Sequence, residues 1–421
     1  MINTMTLDNG VRIITEKMST VRSVSIGIWV GTGSRYESAE ENGISHFLEH
    51  MFFKGTNTRS AQEIAEFFDS IGGQVNAFTS KEYTCYYAKV LDDHAGQAID
   101  TLSDMFFHST FQKEELEKER KVVFEEIKMV DDTPDDIVHD LLSSATYGKH
   151  SLGYPILGTV ETLNSFNEGM LRHYMDRFYT GDYVVISVAG NVHDELIDKI
   201  KETFSQVKPT TYNYQGEKPM FLPNRIVRKK ETEQAHLCLG YPGLPIGDKD
   251  VYALVLLNNV LGGSMSSRLF QDIREKRGLC YSVFSYHSSF RDSGMLTIYA
   301  GTGHDQLDDL VYSIQETTSA LAEKGLTEKE LENGKEQLKG SLMLSLESTN
   351  SRMSRNGKNE LLLKKHRSLD EMIEQINAVQ KQDVSRLAKI LLSASPSISL
   401  INANGELPKA LIHLEHHHHH H

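Results

Sequence analysis

FQKEELEKERKVVFEEIKM, residues 111–129, returns in altered form as LTEKELENGKEQLKGSLML at residues 326–344, with Glu115-Leu116 lying over Glu330-Leu331. Self-similarity across so wide a separation points to a duplicated unit. The surroundings repeat too: in each half, strand-like alternation is followed by a helix, more strands and then charged helices. At 421 residues the chain is also too long for one ordinary core. Together these features predict two homologous α+β domains. Three of the nine prolines, Pro209, Pro219 and Pro223, fall in the polar stretch VKPTTYNYQGEKPMFLPNR. The predicted boundaries are therefore an N-terminal domain at 1–208, a linker at 209–224 and a C-terminal domain at 225–413. Residues 414–421 read as an expression tag, and its six histidines stay out of any metal argument.

A formal net charge of -14 disfavours a nucleic-acid backbone as partner and suits basic or extended peptide ligands. The three cysteines, Cys85, Cys238 and Cys280, are odd in number and widely spaced, as expected of free thiols in a reducing, cytoplasmic compartment. The N-terminus shows no basic-then-apolar leader, and no apolar run approaches bilayer length, so no membrane association is expected.

Chemistry is concentrated in NGISHFLEHMFFKGT, residues 42–56. Ile44, Phe47, Leu48, Met51 and Phe52 fall at helical spacing on one apolar face, with His46, Glu49 and His50 opposite. Residues four apart on a helix are neighbours, so His46 and His50 are able to converge on one ion. Glu49 stays beside them. The order H-x-x-E-H reverses the commoner H-E-x-x-H, which reverses the helix direction but still leaves a carboxylate for a metal-activated water. A solvated polar face with incidental histidines is the alternative.

Catalytic zinc needs a third protein ligand. The helix predicted at 113–130 has an apolar stripe of Leu116, Val123, Ile127 and Val130, flanked by Glu119 and Glu126. Neither carboxylate has a Lys or Arg three or four residues away, so a metal or a distant basic residue has to neutralise them. The same periodicity turns Glu126 inward and Glu125 to water. In the second copy the matching positions are Gly334 and Ser341, and HFLEH has no counterpart, so this chemistry is confined to the first half.

HFLEHMFFKGT, GGQVNAFTSKEYTCYY and ERKVVFEEI resemble the inverted zinc metallopeptidases that include pitrilysin, insulysin and the mitochondrial processing peptidase. The likeness extends through HSLGYPILGT at 150–159, YTGDYVVISVAGNV at 179–192 and LGGSMSSRLFQDIREKRGLCYSV at 261–283. The resemblance implies two processing-peptidase-like α+β domains, each a largely antiparallel sheet with helices packed on one face. It also implies one Zn2+ per chain held by His46, His50 and Glu126, with Glu49 as the catalytic base and Glu119 as a supporting carboxylate. GQVNAFTS at 73–80 reads as a strand with Val75, Ala77 and Thr79 on one face. By resemblance it is a sheet edge that accepts peptide substrate as an added strand, with Asn76 and Ala77 touching the substrate backbone.

In the second half, Arg274 and Tyr281 match a pair that positions substrate and stabilises the oxyanion, and Gly262 and Gly263 match the preceding glycine-rich loop. That loop lacks the G-x-x-x-x-G-K-[ST] pattern and is not read as nucleotide-binding. The expected activity is zinc-dependent endopeptidase action on unfolded peptides or extended segments. The alternative is a non-catalytic scaffold that keeps the fold, as some core subunits in this family do. Since one chain carries both the metal residues and the arginine–tyrosine pair, a homodimer with sites completed across the interface is the expected assembly.

Overall fold

The structure, a computed structural model, describes residues 1–412, so the predicted tag and His413 lie outside the described residues. In the first half the elements are β1 (Ile2–Thr6), β2 (Arg12–Lys17), β3 (Ser23–Val30), α1 (Ile44–Met51), α2 (Ala61–Ser70), β4 (Gln74–Thr79), β5 (Thr84–Leu91), α3 (Ala95–His108), α4 (Lys113–Asp131), α5 (Pro134–Tyr147), α6 (Val160–Ser165), α7 (Glu168–Phe178), β6 (Val184–Gly190) and α8 (Asp194–Phe204). The second half follows with β7 (Arg225–Lys229), β8 (Ala235–Pro242), α9 (Val251–Asn258), β9 (Ser282–Ser289), β10 (Gly294–Thr302), α10 (Leu307–Lys324), α11 (Glu328–Ser345), α12 (Thr349–Leu362), α13 (Leu369–Ala378), α14 (Lys381–Leu392) and β11 (Ser397–Asn402).

The strands form one sheet of order β1-β2-β6-β3-β5-β4 and another of order β7-β11-β8-β10-β9. Leaving out β1, the second order is the first repeated, with β7 standing for β2, β11 for β6 and β9 for β4. Even the exception to antiparallel pairing recurs, because β2 pairs with β6 in parallel and β7 pairs with β11 in parallel. The duplication read from the two charged helices therefore extends to the strand topology.

Two units result, but they are not the two contiguous halves expected from the sequence. One comprises Met1–Lys128, Tyr154–Gly216 and Met343–Ser368; the other comprises Met129–Gly153, Glu217–Leu342 and Leu369 onward. The expected linker is divided at residue 216, because Tyr212 and Tyr214 pack against the first core: Tyr214 meets Tyr36 edge-on at 4.9 Å and Tyr212 meets Phe178 at 5.4 Å. The larger departure is an exchange of helices. Each sheet buries one face beneath its own helices, and its other face is also rich in apolar side chains, which need a cover. In the first unit α12, from the second half of the sequence, covers Ile14, Trp29, Cys85, Val185 and Ala189 with Met353 and Leu361. In the second unit α5, from the first half, sets Val138 and Leu142 against Cys238, Met295, Tyr299 and Ile401.

The two covers are fastened alike. Ser187 on β6 donates to the Met353 carbonyl at 2.7 Å, and Ser399 on β11, its counterpart, donates to the Val138 carbonyl at 2.7 Å. Gly357 lets α12 lie directly on the Trp29 indole, where any Cβ would collide. Arg12 to Glu360 at 2.9 Å and Arg352 to Glu16 at 2.8 Å tie the helix flanks to β2.

The first unit's main core, between its sheet and α1, α3, α7 and α8, includes Val24, Ile26, Ile28, Phe47, Leu48, Phe52, Ile99, Leu102, Tyr174 and Ile186, all essentially inaccessible. Every buried residue of α1's apolar face belongs to it, which presses the helix flat and leaves its other face for chemistry. β4 forms the sheet edge: it pairs with β5 alone, with Val75 and Ala77 half-buried against the core and Gln74 and Asn76 exposed.

Candidate metal centre

His46, Glu49 and His50 sit on one side of α1, and Glu119 and Glu126 come from α4, where Leu116 and Val123 are buried as the periodicity requires. Glu119 is buried, Glu126 half-buried and Glu125 exposed, so the predicted helix phase is the one adopted. Arg120 holds the height of α4: its guanidinium donates to the Leu163 carbonyl and, at 3.0 Å, to that of Phe166, just past α6.

His50 Nδ1 is 2.9 Å from Glu119 Oε2, while its Nε2 is 3.1 Å from Glu126 Oε1. His46 Nε2 is 3.5 Å from the other Glu126 oxygen, and the two imidazoles lie 4.6 Å apart between centroids at an interplanar angle of 66°. One donor atom from each of His46, His50 and Glu126 falls within a mutual span of 4.8 Å, and no other such group of three occurs among the described residues. For a tetrahedral ion with bonds of ~2.0–2.2 Å, neighbouring ligand atoms stand roughly 3.3–3.5 Å apart. The observed separations, 3.1 Å from His50 to one Glu126 oxygen and 3.5 Å from His46 to the other, lie within a few tenths of an ångström of that figure. The donor set, two imidazoles and one carboxylate, is also a zinc set.

The electrostatics support the same reading. Burial, then the neighbouring His50 charge, lowers the His46 pKa to about 4, so it is a neutral imidazole near neutrality. Burial also opposes a charge on His50, but hydrogen bonds to Glu119 and Glu126 outweigh it and push its pKa up to about 9. Without metal, a proton on His50 therefore compensates the carboxylates. Glu119 is held below the usual carboxylate range, against its own burial, by His50 and by Lys54, whose Nζ lies 2.9 Å from Oε1. A carboxylate on the outer nitrogen of an imidazole fixes the tautomer that frees Nε2 for a metal.

Glu49, next to His50 on α1, accepts a hydrogen bond from Thr79 Oγ1 at 3.0 Å. Burial raises its pKa, with Thr79 and His50 pulling it down. Thr79 ends β4, so this carboxylate joins the helix that carries His46 and His50 to the open edge strand that carries Asn76 and Ala77.

The remaining sequence-predicted residues belong to the other unit. Gly262 and Gly263 end a π-helical turn, Asn259–Gly263, in which a Cβ on Gly262 would meet Ser285 of β9 at 2.7 Å. Arg274 lies in a second π-helical segment, Phe270–Lys276, with its guanidinium 5.0 Å over the Phe270 ring. Tyr281 is exposed immediately before β9. Sequence reasoning missed Lys54 and Thr79. Lys54 carried a signal, four residues beyond His50; Thr79 was placed on the correct strand face without its partner.

A duplicated α+β chain with a His-His-Glu cluster and an adjacent carboxylate beside a free sheet edge has the makings of a metallopeptidase. Residues 12–160 match Insulinase (Peptidase family M16), and residues 165–338 match the Peptidase M16 inactive domain. The chain is 64% identical to YmxG of Bacillus subtilis (strain 168), named an uncharacterized zinc protease, over 97% of this chain and 100% of that one. It is 41% identical to an uncharacterized zinc protease of Streptomyces coelicolor over 97% of this chain and 91% of the relative. The chain belongs to peptidase family M16. The same fold appears in a Helicobacter pylori protease, with a TM-score of 0.87 at 20% identity over 96% of this chain and 99% of the other. It appears again in the structure of a peptidase M16 inactive domain from Pseudomonas fluorescens, with a TM-score of 0.90 at 18% identity over 97% of this chain and 99% of the other.

Proposed function

We propose that this chain is a zinc-dependent endopeptidase that hydrolyses peptide bonds in unfolded peptides or extended protein segments. The observation that carries the reading is the position of Glu49, joining the helix that carries His46 and His50 of the His46–His50–Glu126 cluster to the open edge strand β4. Zinc held by those three residues, one ion per chain, would supply Lewis acidity toward the scissile carbonyl and toward water.

The chain's own residues do the rest. An extended peptide adds to β4 by backbone pairing at Asn76 and Ala77, a mode that would tolerate many sequences. Glu49, its pKa raised by burial, takes a proton from water and passes it to the leaving amine. Thr79 steers one Glu49 oxygen, and Glu119, kept ionised by Lys54, holds the His50 ring. Arg274, Tyr281 and the turn at Gly262 and Gly263 are assigned to substrate positioning and oxyanion stabilisation, contributed to the site of a second copy in a homodimer. No described helix is long and apolar enough to cross a membrane, and the free, buried Cys85, Cys238 and Cys280 support a cytoplasmic setting.

The test is hydrolysis of a quenched peptide library by the purified protein, with and without chelator and after zinc readdition, with product sequencing. Zinc-dependent internal cleavage is expected. A zinc-loaded chain that cleaves nothing would favour the non-catalytic scaffold.

A further inference from the structure

Glu37 is a buried carboxyl that the proposed reaction does not use. It precedes α1 and is only 3% exposed, and it is held by N–H donors together with the Ser45 hydroxyl. Oε1 accepts from the Gly43 amide at 2.8 Å and from Asn42 Nδ2 at 3.1 Å, and Oε2 accepts from the Ser45 amide at 2.9 Å. The two amides belong to the first turn of α1, whose leading N–H groups have no partner within the helix. An N-cap side chain normally serves them. Here the N-cap is Gly43, with φ of 99°, packed so closely against Leu157 and Gly158 that a Cβ would sit 2.7 Å from the Gly158 Cα. A Ser, Thr, Asp or Asn cap at that position is therefore excluded by both backbone and space.

Burying a carboxylate is unfavourable unless hydrogen-bond donors compensate it. Burial pushes the Glu37 carboxyl up to about 7, with the Gly43 and Ser45 amides pulling the other way. Exposed polar caps are common and cheap, so an expensive internal one needs a reason. The reason is in the next residue: His46 follows Ser45 directly, in the same turn. That turn is immobilised from below as well, where the buried Ser45 hydroxyl meets Tyr174 Oη at 2.8 Å and Tyr174 in turn meets Thr32 at 2.6 Å.

We propose that Glu37 is a positioning residue for the metal centre: capping α1 from outside the helix, it fixes the turn that carries His46 and so the bite of the His46–His50 pair. The proposal rests on the metallopeptidase reading for the identity of the ion, but it is read out on metal binding rather than on hydrolysis. Glu37→Ala should weaken zinc binding about 10–100-fold, the range found when an outer partner of a metal site is removed. Glu37→Gln keeps the volume and one acceptor oxygen but sets an amide N–H against a helix N–H, and should weaken binding about tenfold.

Zinc dissociation constants would be measured by chelator competition and amide exchange at Ser45 in chelator. Leu257→Ala, in the core of the other unit, serves as a control for general destabilisation. The expected pattern is weaker zinc binding with faster Ser45 exchange in both Glu37 variants, and wild-type zinc affinity in the control. Zinc affinity within twofold of wild type in the folded Glu37 variants, whatever their thermal midpoints, would overturn the proposal. If Glu37→Ala does not fold, Glu37→Gln alone decides. A wild-type protein that binds zinc but cleaves no peptide would sink the endopeptidase reading and leave this one standing.

Discussion

Zinc affinity at the His46, His50 and Glu126 centre should depend steeply on pH, with a slope set by one histidine. In the metal-free chain His50 has its pKa raised to about 9, while that of His46 is lowered to about 4. A metal arriving at neutral pH must therefore displace one proton, from His50. The apparent affinity is expected to fall towards a tenfold loss per unit below pH 9, which is about 50-fold, or ~2.3 kcal/mol, between pH 9 and pH 7. Metal-free stability runs the other way. The folded-state pKa of His50 lies above the ordinary histidine value of 6.5. Its contribution is thus fully present below that value and is lost as pH rises through about 9, at most about 3 kcal/mol in all. Chelator competition from pH 6.5 to 9, with calorimetry in two buffers of different ionisation heat, would count the protons released. Glu119→Gln removes the partner of His50 Nδ1, so it should flatten the slope and weaken binding even at pH 9. Affinity that is flat between pH 7 and 9, with no proton released, would refute the assignment of that proton to His50.

Glu49→Gln should retain zinc and the Thr79 contact yet lose at least ~100-fold in kcat, the usual scale of a missing general base; normal turnover would end the mechanism. Glu126→Gln should lose zinc and activity while its exposed neighbour Glu125→Gln behaves as wild type, so equal losses measured by elemental analysis would show the ligand assignment to be wrong. Glu49→Gln and Tyr281→Phe chains should each be nearly inactive alone. Mixed, they should recover roughly a quarter of wild-type activity if each site is completed by the partner. Differently tagged chains that co-purify without recovered hydrolysis would refute the shared site.

Periodicity made the centre's outline legible because it reports which side of an element faces the interior. It separated Glu126 from Glu125 and put Val75, Ala77 and Thr79 on one side of β4. It does not report which element lies opposite. Lys54 therefore went unnoticed as the counter-ion of Glu119, although the absence of a counter-ion within α4 was read correctly and a basic residue elsewhere was the stated alternative. The cap from Glu37 was invisible because caps are sought beside a helix start, and the glycine at that start explains its remoteness only once Gly158 is seen against it. The exchange of α5 and α12 was hidden for a related reason: an amphipathic helix announces that it needs an apolar surface, not whose surface it will use. The edge position of β4 likewise came from the family likeness, since the same letters fit an interior strand.

The exchanged helices also set a timetable for synthesis. β6 completes the first sheet at Gly190, yet α12, which covers Trp29, Val185 and Ala189, ends at Leu362. Roughly 170 further residues must be added between those points, on the order of ten seconds or more at ~5–20 residues per second. Throughout that interval a nascent chain displays a finished strand array with one greasy side open to water, while α5 is already made and waits for a sheet that does not yet exist. A gene split at the linker would yield two fragments, each lacking the helix that the other holds.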